Sequence, residues 1–101
     1  MAEYVVANID EIPPGTKKLV FAGDKAILLC NVNGTFYAIN NRCPHAGGSF
    51  ADGCLEGTNI ICALHGWEFD ITTGLSSFGS QAETYEVITD YDKKEIKVIV
   101  D

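Results

Sequence analysis

Two cysteine–histidine pairs constrain this chain more than anything else in it. They are Cys43-Pro44-His45 and Cys62-Ala63-Leu64-His65, with the sixteen residues 46–61 between them. His45 and His65 are the only two histidines present. Two thiolates and two imidazoles make a complete four-ligand metal set. A set divided between two short loops requires those loops to meet in space. Thiolate is a soft ligand for zinc and for iron–sulfur iron, and neutral imidazole suits iron and zinc alike.

The surrounding residues favour tight loops. Pro44 restricts φ and removes a backbone donor, so the first loop is stiff before any metal arrives. Seven of the ten glycines, Gly47, Gly48, Gly53, Gly57, Gly66, Gly74 and Gly79, fall between Cys43 and Gly79. Glycine permits positive φ and close approach of backbone to a ligand, and backbone N–H groups aimed at sulfur tune a cluster's potential. A structural Cys₂His₂ zinc site is the rival reading. Its usual spacing is Cys-x₂₋₄-Cys followed by His-x₃₋₅-His, whereas both pairs here are mixed.

The pattern Cys-x-His, spacer, Cys-x-x-His resembles the Rieske signature, in which two Cys hold one iron of a 2Fe–2S cluster and two His hold the other. The resemblance extends to Asn41-Arg42-Cys43-Pro44-His45 with Asp52-Gly53-Cys54-Leu55-Glu56-Gly57. It extends also to Cys62-Ala63-Leu64-His65-Gly66-Trp67-Glu68-Phe69-Asp70 with Thr73-Gly74. These stretches look like the cluster loops of bacterial Rieske-type ferredoxins of the low-potential, oxygenase-associated branch, and specific motifs match over about residues 34–75. The resemblance implies one cluster per chain, with Cys43 and Cys62 on the buried iron and His45 and His65 on the outer iron. Respiratory-complex relatives carry an extra Cys in each loop, forming a disulfide; the corresponding residues here are Gly48 and Leu64. Those relatives also place Ser and Tyr hydroxyls where this chain has Trp67 and Phe69. Fewer donors to the sulfurs imply a potential near the bottom of the ~ −150 to +300 mV Rieske range. The family often has a proline-containing third loop after the hairpin; residues 75–84 here contain no proline, and Phe78-Gly79 is the candidate cover.

Of the remaining cysteines, Cys30 shares a strand face with Leu28 and Val32 and reads as a small buried hydrophobe. Cys54 follows Asp52-Gly53 in an expected turn and reads as structural. Neither is expected to form a disulfide in a reducing compartment. Phe69 is expected to pack the hairpin, and Trp67 either to pack it or to form part of a docking rim.

The fold expected is all-β. Strands are predicted over Glu3–Ala7, Lys18–Ala22, Ala26–Val32, Thr35–Asn40, Asn59–Cys62, Glu68–Asp70, Thr84–Tyr91 and Glu95–Val100. Asn33-Gly34 signals a type I′ hairpin, and Pro13-Pro14-Gly15 an early turn. Near-continuous apolar strands with close turn spacing suggest a sandwich or barrel, while periodicity alone gives only an all-β chain. The resemblance adds an antiparallel Rieske-like base bearing a small cluster-binding subdomain over about residues 41–79, within one domain covering residues 1–101.

Fourteen acids against seven bases give a net charge of −7, which argues against nucleic acid as a partner and suits steering towards basic surfaces. No run is long enough for a transmembrane helix, and the first residues lack a signal-peptide pattern; a cytoplasmic location away from membranes is expected. Both histidines are committed to the cluster, so no 2-His-1-carboxylate iron site can be assembled, and no glycine-rich nucleotide fingerprint follows a strand. No catalytic residue is assigned. The resemblance implies a soluble electron carrier, monomeric when free, between a ferredoxin reductase and the terminal oxygenase of an aromatic-ring dioxygenase or related monooxygenase system. The alternatives are a small Rieske subunit of a larger oxidoreductase such as nitrite reductase, and a zinc-stabilised interaction module.

Overall fold

The structure is a computed structural model, and the residues it describes are 1–44, 47–64 and 66–101. Nine strands are present among them: β1 (Ala2–Asn8), β2 (Lys17–Ala22), β3 (Lys25–Val32), β4 (Thr35–Asn40), β5 (Cys54–Glu56), β6 (Asn59–Ile61), β7 (Glu68–Asp70), β8 (Thr84–Asp90) and β9 (Glu95–Val100). Single 3-10 turns lie at Ile9–Glu11 and Phe50–Asp52. Six strands form one antiparallel sheet in the order β1-β9-β8-β4-β3-β2. The sheet curls until its end strands approach each other, bringing the Tyr4 hydroxyl of β1 against Gly23 just beyond β2. The second sheet is small, with order β5-β6-β7.

The turns form where the residues demand them. Asn33 and Gly34 both have positive φ, 54° and 92°, as a type I′ turn requires; this sets β3 against β4 with Val32 opposite Thr35. Thr16 N–H donates to the Pro13 carbonyl across Pro14-Gly15, with Gly15 at φ 83°. Asn8 caps the first 3-10 turn by accepting from Asp10 N–H, while the Glu11 carboxylate accepts from Asn8 N–H, a capping box.

The near-continuous apolar run of β3 has a specific reason. Ile27 and Leu29 belong to the core inside the curled sheet, with Val20, Phe36, Ala38, Ile96 and Val98. Leu28 and Cys30, on the opposite face, belong to a second core with Ile39, Cys43, Phe50, Ile60, Cys62, Phe69 and Ile71. Side chains alternate across a strand, so β3 and β4 serve as a wall between two cores and are buried on both faces.

The predicted strands all appear, with ends that match or differ by one residue. One strand was not anticipated: Cys54, expected in a turn, opens β5 opposite Ile61, with its side chain exposed. The small sheet is an insertion between neighbouring strands of the base. Strands β4 and β8 pair through Ala38–Tyr85 and Ile39–Thr84, and Asn40 N–H donates to the Glu83 carbonyl at 2.8 Å. Everything from Asn41 to Glu83 leaves and returns at that point.

Candidate metal centre

Cys43 and Cys62 lie in two loops that repeat one backbone geometry. In the first, Cys43 N–H donates to the Gly48 carbonyl at 2.8 Å, and the Cys43 carbonyl accepts from Gly47 N–H at 2.7 Å. In the second, Cys62 N–H donates to the Trp67 carbonyl at 2.8 Å, and its carbonyl accepts from Gly66 N–H at 3.2 Å. In each loop the N–H four residues after the cysteine belongs to a left-handed glycine, Gly47 at φ 69° and Gly66 at φ 70°. A side chain is rarely tolerated there, which explains two of the clustered glycines.

The two thiols meet at the base of these loops, within hydrogen-bond reach of each other, and neither is disulfide-bonded. Both are buried, Cys43 at 0% and Cys62 at 1% exposure. Burial, then contact with Cys43, pushes the Cys62 thiol up from its ordinary range, against the Leu64 backbone N–H that bonds its sulfur and lowers it. Phe50 and Phe69, edge to face at 5.2 Å, sit with Ile39, Ile60 and Ile71 in the same core and keep the pair in an apolar setting.

His45 and His65 lie outside the described residues, as does Ala46. Among the described residues no group of three or more His, Cys, Asp or Glu converges on one point; the described part of the set is the cysteine pair. The donor chemistry fits iron–sulfur ligation: soft thiols, an apolar floor, and a backbone N–H already on one sulfur. Gly48 is part of the cradle, since a Cβ there would stand 3.4 Å from Cys62 Sγ and 3.0 Å from Leu64 Cδ1. Gly48 and Leu64 are therefore in contact, and an apolar clasp joins the loops.

The positioning groups escaped the sequence reading. Asn41 is buried, and its side-chain Oδ1 accepts from Ala51 N–H at 2.9 Å while Nδ2 donates to Ser49 Oγ at 2.8 Å; its carbonyl accepts from Phe50 N–H. One residue before Cys43's neighbour thus ties together both ends of the first loop. Asn40 Oδ1 accepts from Arg42 N–H, Asn40 Nδ2 donates to the Tyr85 hydroxyl, and that hydroxyl donates to Glu83 Oε1. From β2, Lys17 Nζ donates to the Ala51 carbonyl at 2.7 Å. The only signal in the sequence was the Asn-Asn doublet closing β4.

A family model described as the Rieske [2Fe-2S] domain matches residues 2–91. The chain belongs to the Rieske [2Fe-2S] domain family. The cofactor of this Rieske chain is a 2Fe–2S cluster of the Rieske type. Among similar proteins, the ferredoxin component of the naphthalene 1,2-dioxygenase/salicylate 5-hydroxylase systems of Ralstonia sp. is 43% identical over 68 residues, 67% of this chain and 65% of that protein. The match therefore spans just under two thirds of that relative's length. The ferredoxin of carbazole 1,9a-dioxygenase from Nocardioides aromaticivorans IC177 superimposes with a TM-score of 0.91 at 25% identity over 100% of both chains. A chain in the complex of reduced oxygenase and oxidized ferredoxin in carbazole 1,9a-dioxygenase matches with a TM-score of 0.86 at 27% identity, covering 95% of this chain and 91% of that one.

The segment of residues 75–82, which follows β7, contains no proline. Its backbone folds onto β7 through the Phe69–Ser76 bridge and closes on itself through the Leu75–Gln81 bridge. Phe78, the expected cover, stacks on Trp67 of the second loop with ring centroids 4.4 Å apart. Phe69 is fully buried and Cys30 is in the core, as their strand faces predict.

Proposed function

We propose that this protein is a soluble ferredoxin that carries single electrons from a ferredoxin reductase to the terminal oxygenase of an aromatic-ring dioxygenase or related monooxygenase system. The chain as a whole, residues 1–101, acts as one Rieske domain, with residues of about 41–79 as its cluster-binding part. Cys43 and Cys62 ligate one iron, and His45 and His65 the other. The bound cluster supplies one-electron redox chemistry. The residues of this chain hold it, exclude water beneath it and leave one side open to a partner. The chain is itself not the oxygenase, acts in the cytoplasm, and is monomeric when free.

The observation that carries this reading is the pair of buried, unbridged thiols at the base of two loops of matching geometry. The dioxygenase ferredoxin components among its relatives support the choice of partners. No helix among the described residues is long and apolar enough to cross a membrane, which is consistent with a freely diffusing carrier.

The deciding experiment is the visible and EPR spectrum of anaerobically purified protein after dithionite reduction. A red-brown protein with the rhombic signal of a His-ligated 2Fe–2S centre is expected. A colourless, EPR-silent, zinc-containing protein that also fails anaerobic reconstitution with iron and sulfide would sink the proposal.

A further inference from the structure

The insertion that holds the cysteine pair hangs from a short piece of sheet. Beyond the two residue pairs that join β4 to β8, Asn40 N–H donates to the Glu83 carbonyl at 2.8 Å and Asn41 N–H to the Ala26 carbonyl at 3.0 Å. Arg42 N–H is the next main-chain donor, one residue before Cys43. Arg42 lies opposite Ser49 across the first loop, but the backbone bonds of that bridge belong to the flanking residues. Cys43 N–H donates to the Gly48 carbonyl, and Phe50 N–H to the Asn41 carbonyl. Arg42 N–H takes a side-chain acceptor instead, Asn40 Oδ1 at 3.0 Å.

That acceptor is oriented from the base sheet. Asn40 Nδ2 donates to the Tyr85 hydroxyl at 3.0 Å, and the hydroxyl donates to Glu83 Oε1 at 2.7 Å. The order of donors decides which way the Asn40 amide faces. A hydroxyl has one proton to give, and an ionised carboxylate only accepts. With its proton on Glu83, the Tyr85 hydroxyl accepts, so Asn40 turns its NH₂ to Tyr85 and its oxygen to Arg42. Rotated by half a turn, the amide would set a donor against Arg42 N–H. All three bonds run one way, from the ligand loop to the Glu83 carboxylate, and bonds in such a chain strengthen one another.

Tyr85 suits the middle place in this chain. Its ring is half-buried against the core inside the curled sheet, which fixes where the hydroxyl stands. Its phenol is pushed up to about 12, by burial first and then by Glu83, so the proton that orders the relay stays on at neutral pH. Downstream, Cys43 precedes Pro44, whose ring confines the backbone of the residue before it. An orientation set at Arg42 therefore reaches the Cys43 thiol with little slack.

We infer that Tyr85 is a positioning residue for the cluster: acting through the Asn40 amide, it fixes the Arg42 peptide and with it the Cys43 end of the first ligand loop. This rests on the ligand set proposed above. It adds that a side chain of the base sheet, far from the ligands in sequence, sets how firmly and in how uniform a geometry the cluster is held.

The test compares wild type with Tyr85→Phe, Glu83→Gln and Glu83→Ala, each as the cluster-bound protein. Four quantities are measured: iron release to a chelator, the EPR line shape after dithionite reduction, amide hydrogen exchange in peptides containing Arg42, and the denaturant midpoint. Tyr85→Phe removes one hydroxyl and keeps the ring. It is expected to release iron about fivefold faster, as loss of one partly buried hydrogen-bond link implies. The EPR signal should broaden as the first loop samples more than one geometry, and exchange at Arg42 should rise. Glu83→Gln, whose side-chain oxygen still accepts, should stay within about twofold of wild type. Glu83→Ala frees the hydroxyl proton, lets the Asn40 amide rotate, and should move in the direction of Tyr85→Phe. Unchanged iron release and line shape in Tyr85→Phe and Glu83→Ala would overturn the inference. So would faster release that only follows a lower denaturant midpoint, with line shape and Arg42 exchange unchanged, since Tyr85 would then be an ordinary packing residue of β8. Both results leave the ligand set standing. A wild-type protein without the signal of a His-ligated 2Fe–2S centre overturns the ligand set itself, and this inference with it.

Discussion

At the scale of single residues, the least obvious determinant is Asn41. Its side chain closes the first ligand loop from below with two hydrogen bonds in a setting where 8% of the residue is exposed. Asn41→Ala leaves Ala51 N–H and Ser49 Oγ short of a partner, at about 1–3 kcal/mol. Denaturant melts should record that loss, and a chelator should remove iron from the variant faster. Cys30 sets an alkaline limit. Burial pushes its thiol up to about 12 from 9.0, so the folded chain keeps a proton that the unfolded chain releases. Stability from this group is full below about pH 9 and is lost as pH rises from there towards 12, at up to ~1.4 kcal/mol per pH unit. Cys30→Val should flatten that limb in melts recorded from pH 8 to pH 11. The burial of Cys30 was legible from its strand face. The role of Asn41 was not, because it depends on which backbone groups the fold brings opposite the amide.

At the scale of elements, close approach explains glycines that positive φ does not. Gly53 has ordinary φ, −88°, yet a Cβ there would lie 1.9 Å from the Ile61 carbonyl oxygen. The chain crosses β6 at that point, one residue before Cys62. Gly74 combines φ 82° with a Cβ position 2.1 Å from the Ala82 carbonyl. Backbone cannot yield as a flexible side chain can, so Gly53→Ala should cost at least the ~1–3 kcal/mol of an overpacked site and displace Cys62. Thermal melts together with cluster content per chain would register both effects; unchanged cluster content would refute the displacement. Glycine enrichment near the ligands was visible in the sequence, but its division into left-handed turns and crossing points was not. Strand β5 was missed for a related reason: three residues between Gly53 and Gly57 carry too little pattern, and their pairing with β6 makes the strand.

At the scale of the whole molecule, the family and the apolar surroundings bear on the potential. Trp67 and Phe69 offer no hydroxyl to the cluster sulfurs, and Phe69 belongs to the apolar core that holds both cysteines. Redox titration followed by EPR should place the midpoint near the lower end of the ~ −150 to +300 mV Rieske range; a value well above zero would contradict this account. What the sequence by itself determined were chemical kinds and local geometry: two thiols and two imidazoles placed in two short loops, the type I′ turn at Asn33-Gly34, an all-β chain with one over-apolar strand. These follow from side-chain chemistry and from the conformational limits of a few consecutive residues. Only the tertiary structure decided that β3 and β4 separate two cores, that Gly48 lies against Leu64, and that Phe78 packs on Trp67. Those contacts join segments far apart in the chain. They depend on the β4–β8 pairing that brings both ends of the insertion to one place, which no local pattern encodes.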